Sequence, residues 1–442
     1  MALDANAAPP RLAGWLIGAL GATQVQVVAW RQLTGGAIQE NWAFEARVRG
    51  GAFAGTLDAV LRTDAPTGVA ASHGRASEFA ILAAAHRAGV LVPEPIALCA
   101  EPAIIGKPFY VMRRAAGTAL GHVLTNDAKW TGDRVRLAQT LGAELRKLHA
   151  IAPPVADLEF LGPPPASPAL ASVAEYRKWL DSYRSGRPAL EFALRWLERH
   201  APVSEKIVLC HRDFRTGNYM ADENGLTGIL DWEFAGWSDP LEDLGWFCAK
   251  CWRFGQTARA AGGIGERADF LRGYGHAVDA DKLRYWEIMA HARWAIVALQ
   301  QSERFVAGGE ASLDLALTGR RIAELEYEML AMIDAQAQAG AVPANLPGDR
   351  ADASELAALA RDVLVRDLLP GLGEERRLKG LMVANALGIV ARSFPSESAR
   401  ADCRELVARI RSGAHDADTG LLGALRDEAK SRTQTVNPKY AF

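Results

Sequence analysis

Three side chains in the middle of the chain have the types and spacing to handle a phosphate ester. The run His211-Arg212-Asp213-Phe214-Arg215-Thr216-Gly217-Asn218 is followed by Gly228-Ile229-Leu230-Asp231-Trp232-Glu233. Moving a phosphoryl group requires a hydroxyl held near the terminal phosphate and metal to neutralise charge. A carboxylate can orient that hydroxyl and accept its proton. An amide oxygen and a second carboxylate suit magnesium, which takes hard oxygen ligands. Asp213, Asn218 and Asp231 supply that set. The competing reading is structural, with Asp213 and Asn218 shaping a turn and Asp231 capping a helix.

These residues need a scaffold. Val25 to Leu33 is rich in β-branched residues and ends at the breaker Thr34-Gly35-Gly36. Trp42 to Val48 alternates, with Trp42, Phe44, Ala46 and Val48 on one side, and Leu57 to Arg62 follows Arg49-Gly50-Gly51. Three antiparallel strands joined by short glycine turns are predicted. Arg75 to Ala88 reads as a helix, Val90 to Pro95 as a loop and Phe109 to Met112 as a short strand. Helical spacing returns over Val135 to His149, where Leu137, Leu141, Leu145 and Leu148 share a face. Ile207–Cys210 and Thr227–Leu230 read as buried strands, and both chemistry-bearing stretches would sit at the end of one small hairpin.

Beyond Leu241 helix is predicted to about residue 335, and the last ninety residues read as a small all-helical unit, with Ser354-Glu355-Leu356 opening a capped helix. The predicted class is α+β and bilobal. Residues 1–112 form a sheet-rich lobe, 113–338 a helical lobe, 339–352 a linker and 353–442 the helical unit.

A chain of 442 residues, 49% hydrophobic and 23% charged, has the make-up of a multidomain globular protein. Its formal charge of −2 forecasts no nucleic-acid or membrane partner. No run approaches the ~18 apolar residues that span a bilayer, and the N-terminus does not read as a secretory signal. Five cysteines do not make a disulfide framework, so a reducing cytoplasm is expected. Cys248 and Cys251 form a C-x-x-C pair without a second pair, which reads as core or cleft thiols.

HRDFRTGN followed by ILDWEFAGWSDPLEDLG resembles the aminoglycoside phosphotransferase superfamily, the small-molecule relatives of protein kinases. The five-residue step from Asp213 to Asn218 and the thirteen-residue step to Asp231 match the kinase spacing. The resemblance spans roughly residues 20 to 335 and implies a kinase-like fold. It implies that Asp213 is the catalytic base, that Asn218 and Asp231 hold magnesium, and that His211 braces the loop. Gly35 and Gly36 would belong to the nucleotide-covering loop, Arg62 would take the place of the phosphate-binding lysine, and Glu78 would be its ion-pair partner. Backbone groups near Met112 would read the purine of ATP, or of GTP. Two features depart from the pattern: arginine replaces lysine, and the glycine loop lacks the full G-x-G-x-x-G. Asp239 and Asp243 read as structural, with Asp239 capping a helix that Pro240 opens.

The acceptor would be a small-molecule hydroxyl. Arg215 either approaches a phosphate or substrate acid, or pairs with a loop carboxylate. Trp237 and Trp246 are candidate pocket residues, and their aromatic surroundings suit an acyl-bearing alcohol better than a polycation. R-T-G-N and D-W-E resemble the kinase-like domains associated with acyl-CoA dehydrogenases, which implies a hydroxyacyl-CoA acceptor. An antibiotic phosphotransferase and a ligand-presenting pseudokinase are the alternatives. The C-terminal ninety residues resemble a small helical domain that accompanies some of these enzymes. Leu381, Ala384, Leu387 and Gly388 beside Asn385 predict docking or a homodimer.

Overall fold

A computed structural model describes residue 3 and residues 7–33, 39–64, 72–127, 129, 132–183, 186–306, 312–341, 346, 352–393 and 403–442. Contacts divide the chain into two compact units, residues 1–168 with 204–279 and residues 169–203 with 280–442.

The first unit begins with helix α1 (Ala8–Ala19), then strands β1 (Gln24–Leu33), β2 (Gln39–Arg49) and β3 (Gly55–Asp64), helix α2 (Arg75–Arg87), and strands β4 (Pro95–Cys99) and β5 (Phe109–Arg113). The five strands form one antiparallel sheet in the order β1-β2-β3-β5-β4. The alternation anticipated in β2 is real. Trp42, Phe44, Ala46 and Val48 are buried with Leu57, Ala59, Leu61, Phe109 and Val111 in one cluster. Helix α1 was not anticipated; Leu12 and Leu16, one turn apart, cover that cluster. Strand β4 was also missed. Its proline sits at the first residue of an edge strand, where a missing N–H costs no ladder bond.

Helices α3 (Gly121–Asn126) and α4 (Arg134–Leu148) follow, then α5 (Pro168–Leu180) and α6 (Pro188–Arg199), which belong almost wholly to the second unit. The chain returns to the first unit with β6 (Val208–Cys210), β7 (Tyr219–Asp222), β8 (Gly225–Ile229), β9 (Gly236–Ser238), α7 (Pro240–Cys248) and α8 (Arg267–Tyr274). The single hairpin expected here is replaced by two small sheets. β6 pairs with β9, and β7 pairs with β8. Asp213 and Asn218 therefore lie between β6 and β7, and Asp231 between β8 and β9. Continuous helix after Leu241 is likewise not found. Glycines at 255, 262 and 263 take positive φ and break it. Helices α4 and α8 pack closely because Gly142 and Gly273 carry no Cβ; one at Gly273 would lie 1.9 Å from the Gln139 carbonyl oxygen.

The second unit adds α9 (Ala280–Val306), α10 (Leu313–Arg320), α11 (Ile322–Ile333), α12 (Ala353–Val363), α13 (Glu374–Ser393), α14 (Arg404–Arg411) and α15 (Thr419–Val436). Leu421, Leu422 and Leu425 of α15 and Ile410 of α14 are buried against Ala189, Phe192 and Leu330. The C-terminal helices thus dock on α6 and α11. The start of the expected linker is packed too, with Gly340 N–H bonded to Gly420 O at 2.9 Å. The capped helix near residue 354 starts earlier than expected: Asp352 is the N-cap, and Glu355 completes the reciprocal capping box.

Candidate active site

The loop after β6 is tied down by its backbone. Asp239 caps α7 by accepting Leu241 N–H at 2.8 Å, and Pro240 occupies the first turn. One turn on, the Asp243 carboxylate accepts the backbone N–H of His211 and of Arg212, each at 2.7 Å. His149 Nε2 approaches the same carboxylate at 3.1 Å. Burial pushes Asp243 upward, but the His149 hydrogen bond and charge outweigh it and hold the carboxyl below its ordinary value. His149, Cys210 and Asp243 cluster closely enough to hold a metal. Their bonds instead run inward, since the Cys210 thiol donates to Asp239 O and Asp243 is occupied by amides.

His211 braces the other side. Its Nδ1 accepts Asp213 N–H at 3.2 Å, so Nε2 carries the proton that bonds Leu230 O at 2.8 Å. This joins the Asp213 loop to the residue before Asp231. Leu230 N–H bonded to Asn218 O at 2.8 Å closes a second link. Arg212 and Asp231 both have positive φ, 61° and 70°, a conformation costly for a residue with a Cβ. Such strain concentrates where side chains must be aimed for function.

Asp213 is nearly buried, at 8% exposure. Its Oδ1 accepts Trp246 Nε1 at 3.0 Å and Arg215 Nε at 3.3 Å, and its Oδ2 accepts Asn218 Nδ2 at 2.5 Å. Arg215 therefore pairs with a loop carboxylate, as one of its two readings had it. Its guanidinium also lies over the Trp252 ring, 4.6 Å from the centroid. Trp246 is buried, with its indole N–H directed at Asp213.

Asp231 meets the sheet side of the unit. Arg62 NH2 lies 2.5 Å from Asp231 Oδ1, and Arg62 Nε lies 3.0 Å from Glu78 Oε1. The arginine on β3 thus bridges the glutamate on α2 and the aspartate after β8. Burial lowers the Arg62 pKa, but Glu78 and then Asp231 outweigh it and hold the charge firmly on. Burial likewise raises Asp231, and Arg62 more than reverses it. Glu233 receives Gln39 Nε2 at 2.9 Å; burial, then the Asp231 charge, push its pKa up to about 7. Arg75, not anticipated, also pairs with Glu78 and lies 2.9 Å from Asp64. Its signal was the three-residue spacing from Glu78 on one helix.

The donor set fits a divalent cation such as magnesium. Asn218 uses its amide nitrogen on Asp213, which leaves the amide oxygen as a hard ligand. The Asp231 side chain is 28% exposed, and its Oδ2 makes no hydrogen bond among the described residues. Gly35 and Gly36 lie outside the described residues. Met112 lies inside β5, opposite Val60 and Pro95, and the next two amides bond Glu94 O and Asp58 O. Trp237 is buried in β9 opposite Leu209.

An antiparallel five-stranded sheet with a helix-borne glutamate, joined to a braced Asp213–Asn218 loop and Asp231, defines a kinase-like phosphotransferase architecture. The chain belongs to the phosphotransferase enzyme family, whose model matches residues 29–286. A crystal structure from Ralstonia eutropha JMP134, described as an aminoglycoside phosphotransferase, shares the fold. It has a TM-score of 0.57 at 21% identity, over 74% of this chain and 98% of that one. Acyl-CoA dehydrogenase family member 10 of Mus musculus is 27% identical over 40% of this chain and 17% of its own length. Acyl-CoA dehydrogenase family member 11 of Homo sapiens is 28% identical over 38% of this chain and 22% of its own. The chain spans about a fifth of the length of these curated relatives.

Proposed function

We propose that the protein transfers the γ-phosphoryl group of ATP, or of GTP, to the hydroxyl of a small molecule. The observation that carries this reading is the convergence of Asp213, Asn218 and the Asp231–Arg62–Glu78 chain within one unit. Asp213 orients the acceptor hydroxyl and takes its proton as the oxygen forms a bond to phosphorus. The bond from phosphorus to the bridging oxygen breaks, and the nucleoside diphosphate leaves with that electron pair. Arg62 faces the phosphates and is held there by Glu78. Magnesium, when bound by Asn218 and Asp231, supplies charge neutralisation at the phosphates.

The acceptor we favour is a hydroxyacyl-CoA. Two observations support it: the aromatic surroundings of Asp213, where Trp246 and Trp252 lie 5.2 Å apart, and the dehydrogenase names of the partial relatives. Phosphorylation would turn a hydroxyl into a leaving group. The cytoplasm remains the expected compartment; the five cysteines are present as thiols, and no helix among the described residues is long and apolar enough to cross a membrane. Exposed Leu378, Leu381, Met382 and Ile389 on α13 favour self-association as the partner reading, to be checked by sedimentation.

Titration with ATP and GTP, with and without magnesium, tests the nucleotide site. Binding strengthened by magnesium and weakened in Asp231→Ala is expected, and turnover with hydroxyacyl-CoA thioesters is then compared with aminoglycosides. No binding of either nucleotide would sink the phosphotransfer reading in favour of a ligand-presenting protein.

A further inference from the structure

We infer that Trp246 and Trp252 are positioning residues for the proton-accepting carboxylate, so that Oδ2 of Asp213, and not Oδ1, takes the acceptor's proton. The inference rests on the phosphotransfer reading above and extends it to residues that the motifs do not contain.

A carboxylate oxygen offers two in-plane lone pairs. On Oδ1 of Asp213 both are taken, by Trp246 Nε1 at 3.0 Å and Arg215 Nε at 3.3 Å. On Oδ2 a single bond is made among the described residues, from Asn218 Nδ2. The second lone pair of Oδ2 is therefore the one left for an incoming hydroxyl.

The two donors on Oδ1 are themselves held by aromatic packing. Trp246 is 3% exposed, and its ring lies 5.2 Å from that of Trp252. Trp252 in turn presents its face to the Arg215 guanidinium at 4.6 Å. A cation over an indole face is attracted by the ring quadrupole. One tryptophan thus acts through its N–H and the other through its ring. Both lie beyond the Asp231 motif, on α7 and in the turn after it. Arg215 NH1 also bonds Thr216 O at 3.3 Å, which leaves the guanidinium spread between the loop and the Trp252 ring.

A tryptophan that merely fills the core could give up its N–H to phenylalanine without loss of turnover. One that donates to Oδ1 fixes the orientation of the carboxylate, so losing the donor frees Oδ1 to compete with Oδ2 for the hydroxyl. The full-length chain is assayed for ADP release from Mg·ATP, with water or a 3-hydroxyacyl-CoA as acceptor. Trp246→Phe keeps the ring and removes the N–H. Its kcat is expected to fall about 10-fold, the size of one hydrogen bond to a charged group. KM for ATP should change less than about 2-fold, so that the loss falls on kcat alone. Trp252→Leu is expected to lose about 3-fold, and Trp252→Phe, which restores a ring face, to recover most of it.

Wild-type kcat in folded Trp246→Phe would overturn the inference. If that variant does not fold, equal activity of Trp252→Leu and Trp252→Phe does the same. Asp213→Ala runs in parallel. Should it retain turnover, or should the wild type release no ADP, the phosphotransfer reading falls and this inference with it. A dead Asp213→Ala beside wild-type tryptophan variants removes the positioning role alone.

Discussion

Both units bury a glutamate between two arginines, and they differ in the acids gathered around it. In the helical unit a buried carboxylate is gripped by two arginines. Glu326 is held by Arg187 at 2.8 Å and Arg432 at 2.6 Å, and Glu191 by Arg177 and Arg411 at 3.0 Å each. In the unit that carries the site the buried glutamate is Glu78, and both of its arginines reach on to aspartates. Arg62 holds Glu78 and Asp231, and Arg75 holds Glu78 and Asp64. Glu233 adds a further acid to that field. The first arrangement is saturated and locks helices together. The second carries more acids than arginines, and the Asp231 charge is felt in the raised pKa of Glu233.

The contrast can be broken by substitution, and the largest effect should come from the base. Asp213→Ala is expected to reduce turnover by about 10³-fold, within the range for losing a general base, with nucleotide affinity nearly unchanged in calorimetry. Asp231→Asn should cost at least about 10²-fold in turnover and abolish the magnesium dependence of nucleotide binding. Asparagine accepts positive φ readily but loses the charge that Arg62 holds. Because Arg62 keeps the Asp231 carboxyl below its ordinary value, that ion pair stabilises the fold at neutral pH, and the melting temperature should fall. An unchanged or higher value would contradict the ion-pair account.

Glu326→Ala should act on stability more than on turnover. Removing the buried carboxylate that Arg187 and Arg432 share is expected to destabilise by about 3 kcal/mol, read from denaturant midpoints. Burial raises the Glu326 pKa, but Arg187 and Arg432 hold it below the ordinary value. A depressed carboxyl contributes stability that is complete above its unfolded-state pKa and is lost as pH falls through the folded one. The wild type should therefore lose stability below about pH 4.5 more steeply than Glu326→Gln does. The smallest effect is expected for Arg195→Ala, which opens the partly exposed bond to Asp416 and should cost less than about 1 kcal/mol.

The types and spacing of Asp213, Asn218 and Asp231 were legible because they follow from the chemistry they would perform. The three strands after residue 23 and the alternation in β2 were legible from hydrophobic period. What escaped is instructive. β6 and β9 are three residues long, too short for any period to register, so their pairing was not readable and a single hairpin was inferred. Positive φ at Arg212 and Asp231 is imposed by the bracing around them, against the preference of both residues. The indole bond from Trp246 to Asp213 joins residues 33 apart and leaves no local trace.

Helix α7 touches the Asp213 loop at two points one turn apart, through Asp243 on the backbone of residues 211 and 212 and through Trp246 on the Asp213 side chain. The amide protons of His211 and Arg212 can therefore reach solvent only when α7 lets go. Although they sit in a loop, they should exchange with deuterium as slowly as the interior of that helix, as members of one cooperative unit.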